Sequence, residues 1–412
     1  MRKVRIGLIG LGARAETLSA SFFALRDEVE VVAICDVNPA RIEKLTKIYA
    51  EHNAGRPVPY DDYRKLIADP NVEAVLVPTS WNSHLRIAHE AMRAGKYVGI
   101  EVGGASSTDE LWELVHSAEA TGVSCMMLEN CCYGRNELMA LNLARKGLFG
   151  ELIYCTCGYE HDLSEMGVLN ERRQERSWHN YRRCGDLYPT HGLGPIAKIL
   201  RINRGNRFVS LTSQATKARG FQRKNADGLV FNEGDIVNTC IKCANGEMVM
   251  LTHGVSLPRP YSRDCRVQGT KGLWLEEREG VYIEGISPTY DKIDIAGNPY
   301  TVHEWTTVTE MYEKYDHPIW KEASKNPIGE HGGMDSLALR AFLDSVRNHT
   351  PTPIDVYDVA AWMSVTCLSE QSIAMGGMPV PFPDYTNGKW IDEIPAVKGY
   401  WSLDEVYEDA TR

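Results

Sequence analysis

No run of apolar residues in the 412-residue chain is long enough to cross a bilayer, and no cleavable apolar segment precedes the first strand. A cytoplasmic protein without a membrane partner is therefore expected. A basic excess is also missing. The 45 lysines and arginines are outnumbered by 55 acidic residues, the net charge is -10 and no basic stripe is evident, which argues against nucleic acid as a partner. The 11 cysteines are odd in number and none shows CxxC spacing. Cys131 and Cys132 are adjacent and Cys155 and Cys157 alternate, a pattern of reduced, buried thiols and not of a disulfide framework or a zinc site. No His/Asp/Cys cluster has metal-ligand spacing, so no catalytic metal is expected. A GxSxG elbow, a Walker lysine, internal repeats and low-complexity tracts are all absent. What remains is ordinary globular composition, 43% hydrophobic and 24% charged, at a length suited to two domains.

The first 36 residues carry the strongest pattern. Val4 to Ile9 form a short apolar run, Gly10-Leu-Gly12-Ala-Arg14-Ala15 a glycine turn, and a helix-compatible segment follows. A second apolar run, Val29 to Ile34, leads to Asp36. Strand, turn, helix, strand and acid is the order of a Rossmann dinucleotide-binding unit. Gly10 permits the tight turn. Gly12 lets the backbone approach a pyrophosphate, whose charge suits the amides at the helix N-terminus. Ala15 replaces the third glycine. Asp36 accepts hydrogen bonds from the adenosine ribose; an acid there repels a 2′-phosphate, so NAD is expected over NADP.

Strands at Val72 to Pro78, Tyr97 to Glu101 and Val123 to Leu128 continue the strand–helix alternation to a boundary near Asn130. Residues beyond the carboxyl ends of such strands face the cofactor crevice. Trp81 and His84 are candidates on that ground. The texture then changes. A helical pattern from Cys131 to Lys146 precedes strand segments at Leu152 to Tyr159, Phe208 to Ala215, Ile236 to Cys243, Met248 to Ser256, Asp264 to Gln268 and Gly272 to Glu276, with Asn245-Gly246 as a hairpin signal. The expected fold is α/β: a Rossmann domain over 1–130, an α/β domain over 131–380 with a large open, mainly antiparallel sheet half covered by helices, and a wrapping tail over 381–412. Ser287 to Asn326, polar and rich in Tyr, Trp and Pro, reads as a surface excursion, and helices are expected from His331 and over Val356 to Met375.

The second informative stretch is Gly185-Asp-Leu-Tyr188-Pro189-Thr190-His191-Gly192-Leu-Gly194-Pro195. It follows a run dense in ionisable and aromatic residues, Glu171 to Arg183, and precedes an apolar helix, Ile196 to Leu200. Tyr188 and His191, three apart at a helix start, lie on one side of the chain. His191 can move protons near neutral pH and Tyr188 can donate to a sugar oxygen or act as a tuned acid. Tyr159-Glu-His161, Arg259-Pro260-Tyr261-Ser262-Arg263 and His331-Gly332-Gly333-Met334-Asp335 are further candidates for the same cavity, with His161 and His331 the weaker ones.

These residues carry a family likeness. The chain resembles the Gfo/Idh/MocA oxidoreductases and, within them, the NAD-dependent glycoside hydrolases of family 109, the α-N-acetylgalactosaminidase type. The matching stretches run over nearly the whole chain: GLIGLGARAE, ICDVNPARIEK, EVGGA, LENCCYGRNEL, KGLFGEL, GDLYPTHGLGP, RPYSR, HGGMD and MPVPFPDYTNGKW. The resemblance implies that Ala13, Arg14, Asp36, Trp81, Asn82, Ser83, His84, Glu101, Val102 and Asn130 contact NAD. It implies that Tyr159, Arg176 (Arg172 and Arg173 being the alternatives in that run), Tyr188, Pro189, Thr190, His191 and Tyr261 contact the sugar. A homodimer or homotetramer is the oligomer it suggests.

Sugar dehydrogenases of the wider group carry Glu-Lys-Pro after this strand, where the lysine assists hydride transfer. Here the triplet is Glu101-Val102-Gly103, and valine exchanges no proton. The mechanism implied is redox-neutral: oxidation at C3 of the glycoside by tightly bound NAD, removal of the C2 proton, elimination at C1, water addition and return of the hydride. His191 is the first choice for acid/base work, with Tyr188 and Tyr159 orienting the sugar or stabilising the enolate. No carboxylate pair of the usual glycosidase type stands out. Two other readings are a sugar or cyclitol dehydrogenase and a non-catalytic NAD-binding protein.

Overall fold

The computed structural model describes residues 2–103, 105–165, 174–225, 228–325, 328, 331–392 and 394–408. The N-terminal part is strand–helix alternation: β1 (Val4–Ile9), α1 (Ala13–Ala24), β2 (Val29–Cys35), α2 (Pro39–Glu51), β3 (Val58–Tyr60), α3 (Tyr63–Ile67), β4 (Ala74–Val77), α4 (His84–Arg93), β5 (Tyr97–Ile100), α5 (Thr108–Thr121) and β6 (Cys125–Met127). The strands form a six-stranded sheet in the order β3-β2-β1-β4-β5-β6, with every pairing parallel. Its inner strands are nearly continuous apolar runs because helices cover both faces; β4, Ala-Val-Leu-Val, is buried throughout. Helix starts follow local chemistry. Asn38 accepts from the Ala40 amide with Pro39 at the first helical position of α2, and Ser107 accepts from the Glu110 amide at α5. The edge strand β3 is absent from the sequence reading, since Val-Pro-Tyr is too short to show a period.

The second part contains α6 (Arg135–Arg145), β7 (Leu152–Glu160), α7 (Gln174–Arg182), α8 (Thr190–Ile199), β8 (Phe208–Ala215), β9 (Val237–Cys243), β10 (Met248–Gly254), β11 (Arg266–Gly269), β12 (Gly272–Leu275) and β13 (Gly280–Ile283). It continues with β14 (Thr289–Ile293), β15 (Pro299–His303), β16 (Thr306–Thr307), α9 (Val308–Tyr315), α10 (Pro318–Ala323), α11 (Met334–Asn348), α12 (Val356–Ala374) and β17 (Val380–Pro381). A nine-stranded sheet has the order β16-β13-β12-β11-β7-β10-β9-β8-β17. It is antiparallel except at its centre, where β7 runs parallel to β10 and sets Tyr159 opposite His253. The open, mainly antiparallel sheet of the sequence reading is therefore present. β9 alternates buried and partly exposed positions, as expected for a sheet covered by helices on one face. Among the described residues no helix is long and apolar enough to cross a membrane.

Three expectations need correction. The segment after Ser287 is not a plain surface excursion. It holds the exposed β14–β15 hairpin and then α9 and α10, whose Met311, Tyr315, Ile319 and Trp320 are buried; Val308, Met311 and Tyr315 recur at helical spacing and give α9 an apolar face. Asn326 lies outside the described residues. The helix expected from Cys131 is interrupted, because Asn130–Tyr133 form a 3-10 turn and Gly134 adopts extended backbone before α6. Helix α8 starts at Thr190, six residues ahead of the apolar run that announced it, so His191 stands in its first turn. The last described residues pack down. Tyr133 donates to the Trp401 carbonyl at 3.1 Å, and Asp404 pairs with Lys198 and Arg204 at 3.1 and 2.8 Å.

Candidate active site

The glycine turn is built to receive an anion. Gly10 sits at φ +94°, and a Cβ there would lie 2.6 Å from Thr79 Cγ2, so only glycine closes the turn against β4. At Gly12 a Cβ would meet no atom within 4 Å, so the space over the turn is open. Helix α1 begins there with no side-chain cap, leaving its first amides for a ligand. Asp36 stands at the carboxyl end of β2. Its two oxygens accept from the Leu11 amide at 2.7 Å and the Asn38 amide at 2.8 Å, which ties the acid to the turn. The exposed Arg41 reaches 3.5 Å from the same carboxylate. An open turn, free helix amides and an acid at the next strand end fit a dinucleotide with an unphosphorylated ribose.

Around this crevice the expected contacts divide. Ala13 and Asn82 are exposed, and Gly12, Trp81 and Ser83 partly so. Gly103 makes room for Trp81, since a Cβ there would lie 2.0 Å from its indole Nε1. His84 is a correction: its side chain is fully buried in the first turn of α4 and offers no surface to a ligand. Arg14 and Glu101 are paired with each other at 2.8 Å, and Arg14 also donates to both oxygens of Asp335 at 2.8 and 3.2 Å. Asn130 Nδ2 donates to Asp335 at 2.7 Å and His331 lies 3.0 Å from it. Asp335 is thus a hub on α11 that binds the crevice to the second half of the chain. Burial pushes its carboxyl up, yet the bonds and charge of Arg14 and His331 hold it below its ordinary value. Val102, the middle residue of the Glu101-Val102-Gly103 triplet after β5, is buried.

The second cluster forms where α8 meets β6 and β7. Two glycines permit the approach: a Cβ on Gly192 would lie 2.6 Å from the Gly158 amide nitrogen, and one on Gly194 would be 3.0 Å from Cys132 Sγ. His191 Nδ1 lies 2.7 Å from Glu129 Oε1. A carboxylate only accepts, so Nδ1 donates to it. Glu129 is fully buried and also accepts from Thr190 Oγ1 at 2.6 Å and from the Cys131 amide at 3.2 Å. Burial raises the Glu129 carboxyl, but His191 and these hydrogen bonds bring it below its usual value. Burial pulls His191 down, and the attraction of the Cys131, Glu129 and Tyr188 side chains overcomes it, so the imidazole holds its proton well above its ordinary range.

Aromatic rings complete the wall. Tyr188 lies 4.8 Å from the His191 ring and 4.7 Å from the Tyr159 ring, and Tyr159 is 5.4 Å from His191. Trp81 from the cofactor side stacks 5.9 Å from Tyr188. Arg176 sets its guanidinium 4.5 Å from the Tyr188 ring and 5.3 Å from the Trp81 ring. Arg172 and Arg173 lie outside the described residues. Tyr261, half-exposed, is brought 6.0 Å from Tyr159 by the antiparallel bridge between Ser262 and Glu160. His161 lies 5.2 Å from Tyr261 at the rim. Burial pushes the Tyr188 hydroxyl up to about 12, so it donates hydrogen bonds and does not titrate near neutrality. Pro189 and Thr190 are a correction to the sugar-facing set: both are buried, and the Thr190 hydroxyl is spent on Glu129.

Glu129 is the residue that sequence reasoning passed over; its only signal was its place after a strand, at a carboxyl end that faces the crevice. A second buried group went unnoticed. His253, beside Tyr159 on the sheet, has its ring nitrogens 3.8 Å from Asp186 and 3.4 Å from Glu233, and all three are buried. Burial pushes Asp186 up to about 7, Glu233 well above its ordinary value and His253 down to about 3. Burial thus favours the uncharged form of all three groups. Asp186 also accepts from the Tyr188 amide at 3.3 Å, which fixes the entry into α8.

Residues 133–392 match the glycosyl hydrolase 109 C-terminal domain, and residues 4–129 match the NAD-binding Rossmann fold of the oxidoreductase family. The chain belongs to glycoside hydrolase family 109. It is an NAD-dependent enzyme of that family. An α-N-acetylgalactosaminidase from Tannerella forsythia is 40% identical, covering 95% of this chain and 88% of that protein. A family 109 protein from Parabacteroides distasonis is 39% identical over 95% of this chain and 89% of its own. Among solved structures, a levoglucosan dehydrogenase in complex with NADH superposes with a TM-score of 0.67 at 18% identity, over 93% of this chain and all of that one. An NAD-binding oxidoreductase from Klebsiella pneumoniae gives 0.70 at 17% identity, over 92% and 98%. These two carry the fold alone.

Proposed function

We propose that this family 109 enzyme hydrolyses α-N-acetylgalactosaminides or closely related glycosides, with its NAD retained through each turnover. The observation that carries the reading is the pairing of His191 with Glu129 beside a cofactor crevice that has Val102 where a dehydrogenase has lysine. When bound, NAD supplies reversible hydride transfer to a sugar carbon; Gly12, the α1 amides and Asp36 are the groups that would hold it.

The chain's own residues supply position and protons. Glu129 fixes the tautomer and plane of His191, so a proton is held or taken at Nε2, facing the sugar. Tyr188 and Tyr159, with rings 4.7 Å apart beside His191, supply hydroxyl donors for negative charge developing on a sugar oxygen. Arg176 adds a fixed positive charge beside Tyr188. The rings of Trp81, Tyr188 and Tyr159 exclude water from one side of the cavity and offer apolar faces to the sugar. The activity of the Tannerella forsythia relative, an α-N-acetylgalactosaminidase, fits this set of residues, and the absent lysine disfavours net oxidation of a free sugar.

The test is turnover of p-nitrophenyl α-N-acetylgalactosaminide carrying deuterium at C2, without added NAD. Aglycone release with loss of label to solvent is the expected result. Release with full retention of label overturns the elimination route, and net NADH formation from a free sugar would identify a dehydrogenase. The free state of all eleven cysteines suits a reducing compartment, which supports a cytoplasmic location. The outer sheet face around Thr156, Cys240 and Met250, half-buried within one chain, is the surface a homodimer or homotetramer would use, and light scattering in solution tests that assembly.

A further inference from the structure

We propose that Glu129, Cys131 and His191 form an inhibitory site for one thiophilic divalent ion, of the zinc or cadmium class, in the wall of the sugar cavity. The inhibitory half rests on the reading of His191 as the proton-transfer group; the ion-binding half stands on geometry. A carboxylate oxygen of Glu129, the sulfur of Cys131 and a ring nitrogen of His191 all lie within 4.8 Å of one another. Among the described residues no other set of three His, Cys, Asp or Glu donors comes as close.

Zinc bonds of about 2.0–2.3 Å to O, N and S place tetrahedral ligand atoms roughly 3.3–3.7 Å apart. The Glu129–His191 contact of 2.7 Å has to open by about 0.6 Å to admit the ion, while the sulfur closes in. The frame is already set. Glu129 and Cys131 share one 3-10 turn, pinned by the Cys131 amide on Glu129, and Thr190 fixes the other carboxylate oxygen at 2.6 Å. Sulfur and imidazole donors select zinc or cadmium over magnesium or calcium, which take all-oxygen shells. Carboxylate and thiolate together balance a divalent charge, so no net charge is buried. Three protein ligands leave a fourth position to a water or chloride, with the Tyr159 and Tyr188 rings 5.4 and 4.8 Å from that of His191. An ion held there occupies His191 and removes it from proton transfer.

Cys132, the neighbouring buried thiol, faces Gly194 instead and stands outside the cluster, so it serves as the control. The NAD-loaded protein is titrated with cadmium chloride by calorimetry, while the ultraviolet thiolate-to-cadmium band is followed. One ion per chain with that band is expected in the wild type and in Cys132→Ser. Cys131→Ser should lose the band and at least tenfold in affinity, and His191→Gln should lose affinity similarly. Unchanged stoichiometry and band in Cys131→Ser would overturn the site. Aglycone release, scaled to each variant's own uninhibited rate, should fall with cadmium in the wild type, recover with EDTA, and resist cadmium in Cys131→Ser; equal sensitivity of wild type and Cys131→Ser would overturn the inhibitory role. If the protein proves inactive on every glycoside tried, the catalytic reading fails while the cadmium titration still decides the site.

Discussion

Replacing Glu129 by glutamine asks whether the buried pair behind His191 is part of the reaction. The substitution keeps shape. One amide oxygen can still accept from His191 Nδ1, and the amide NH2 can donate to Thr190 Oγ1 if that hydroxyl turns, so the three contacts at 2.7, 2.6 and 3.2 Å need not be lost as packing. What disappears is the charge. A hydrogen bond to a charged partner contributes about 1.5–3 kcal/mol. At about 1.4 kcal/mol per tenfold in rate, kcat should fall roughly 10- to 150-fold. The pH dependence gives a sharper reading. Glu129 is among the attractions that raise the His191 imidazole, so its removal lowers that pKa. The limb of kcat/KM that reports His191 therefore moves to lower pH, whether the active form is the acid or the base. The assay is aglycone release across the pH range, with thermal unfolding to show that the variant is folded. A folded Glu129→Gln enzyme with wild-type kcat and an unmoved limb would refute the coupling of this carboxylate to catalysis.

Gly12→Ala should leave the melting temperature of the NAD-free protein nearly unchanged, because a Cβ there meets nothing within 4 Å, yet weaken NAD binding at least tenfold by intruding on the pyrophosphate space; unaltered binding by fluorescence titration would contradict the placement. Gly192→Ala drives a Cβ to 2.6 Å from the Gly158 nitrogen and 2.7 Å from its oxygen, an overpacking that costs about 1–3 kcal/mol and tilts His191 away from Tyr159; a lower denaturation midpoint with a larger loss in kcat is expected, and full activity would show that α8 can yield. Asp186→Asn removes a carboxyl whose folded value, about 7, lies above its ordinary one. Such a group favours the folded state at low pH and withdraws that support as pH rises through the folded value. The variant should therefore gain more stability at about pH 8 than at about pH 5, and an equal gain at both would contradict the buried, proton-bearing state.

The parts legible in the sequence are those whose chemistry is local. Gly10, Gly12 and Asp36 work within one strand–helix–strand unit, and their spacing alone carries the signal. Tyr188 and His191 belong to one helix entry, so their common side follows from the backbone. Glu129 is different, because it matters only where the end of β6 meets α8, and no spacing within either segment reveals that junction. Asp335 is 321 residues from Arg14, and Asp186, His253 and Glu233 come from three separate segments. His84 misled for the converse reason: the strand-end rule places a residue at the crevice but does not say which way its side chain turns. The hairpin and helices after Ser287 were hidden by a Pro- and Tyr-rich composition, although the apolar spacing of Val308, Met311 and Tyr315 was there to be read.

On the function proposed here, the turn after β6 ties the cofactor crevice to the sugar-binding residues. Successive side chains leave it in different directions. Glu129 bonds to His191 on the sugar side, and Asn130 bonds to Asp335, which grips Arg14 and through it Glu101 on the cofactor side. Gly134, extended, then ends the turn. A change that rotates this turn cannot adjust one half without the other, because both sets of bonds are made by adjacent residues with little slack. Trp81 makes the same join from the opposite wall, seated on Gly103 beside the cofactor and stacked on Tyr188 beside the sugar. Such rigidity suits a reaction in which the cofactor must return what it took from the same sugar. A free dehydrogenase gains from letting its cofactor go, whereas here the residues that would grip the NAD are bonded into those that orient His191.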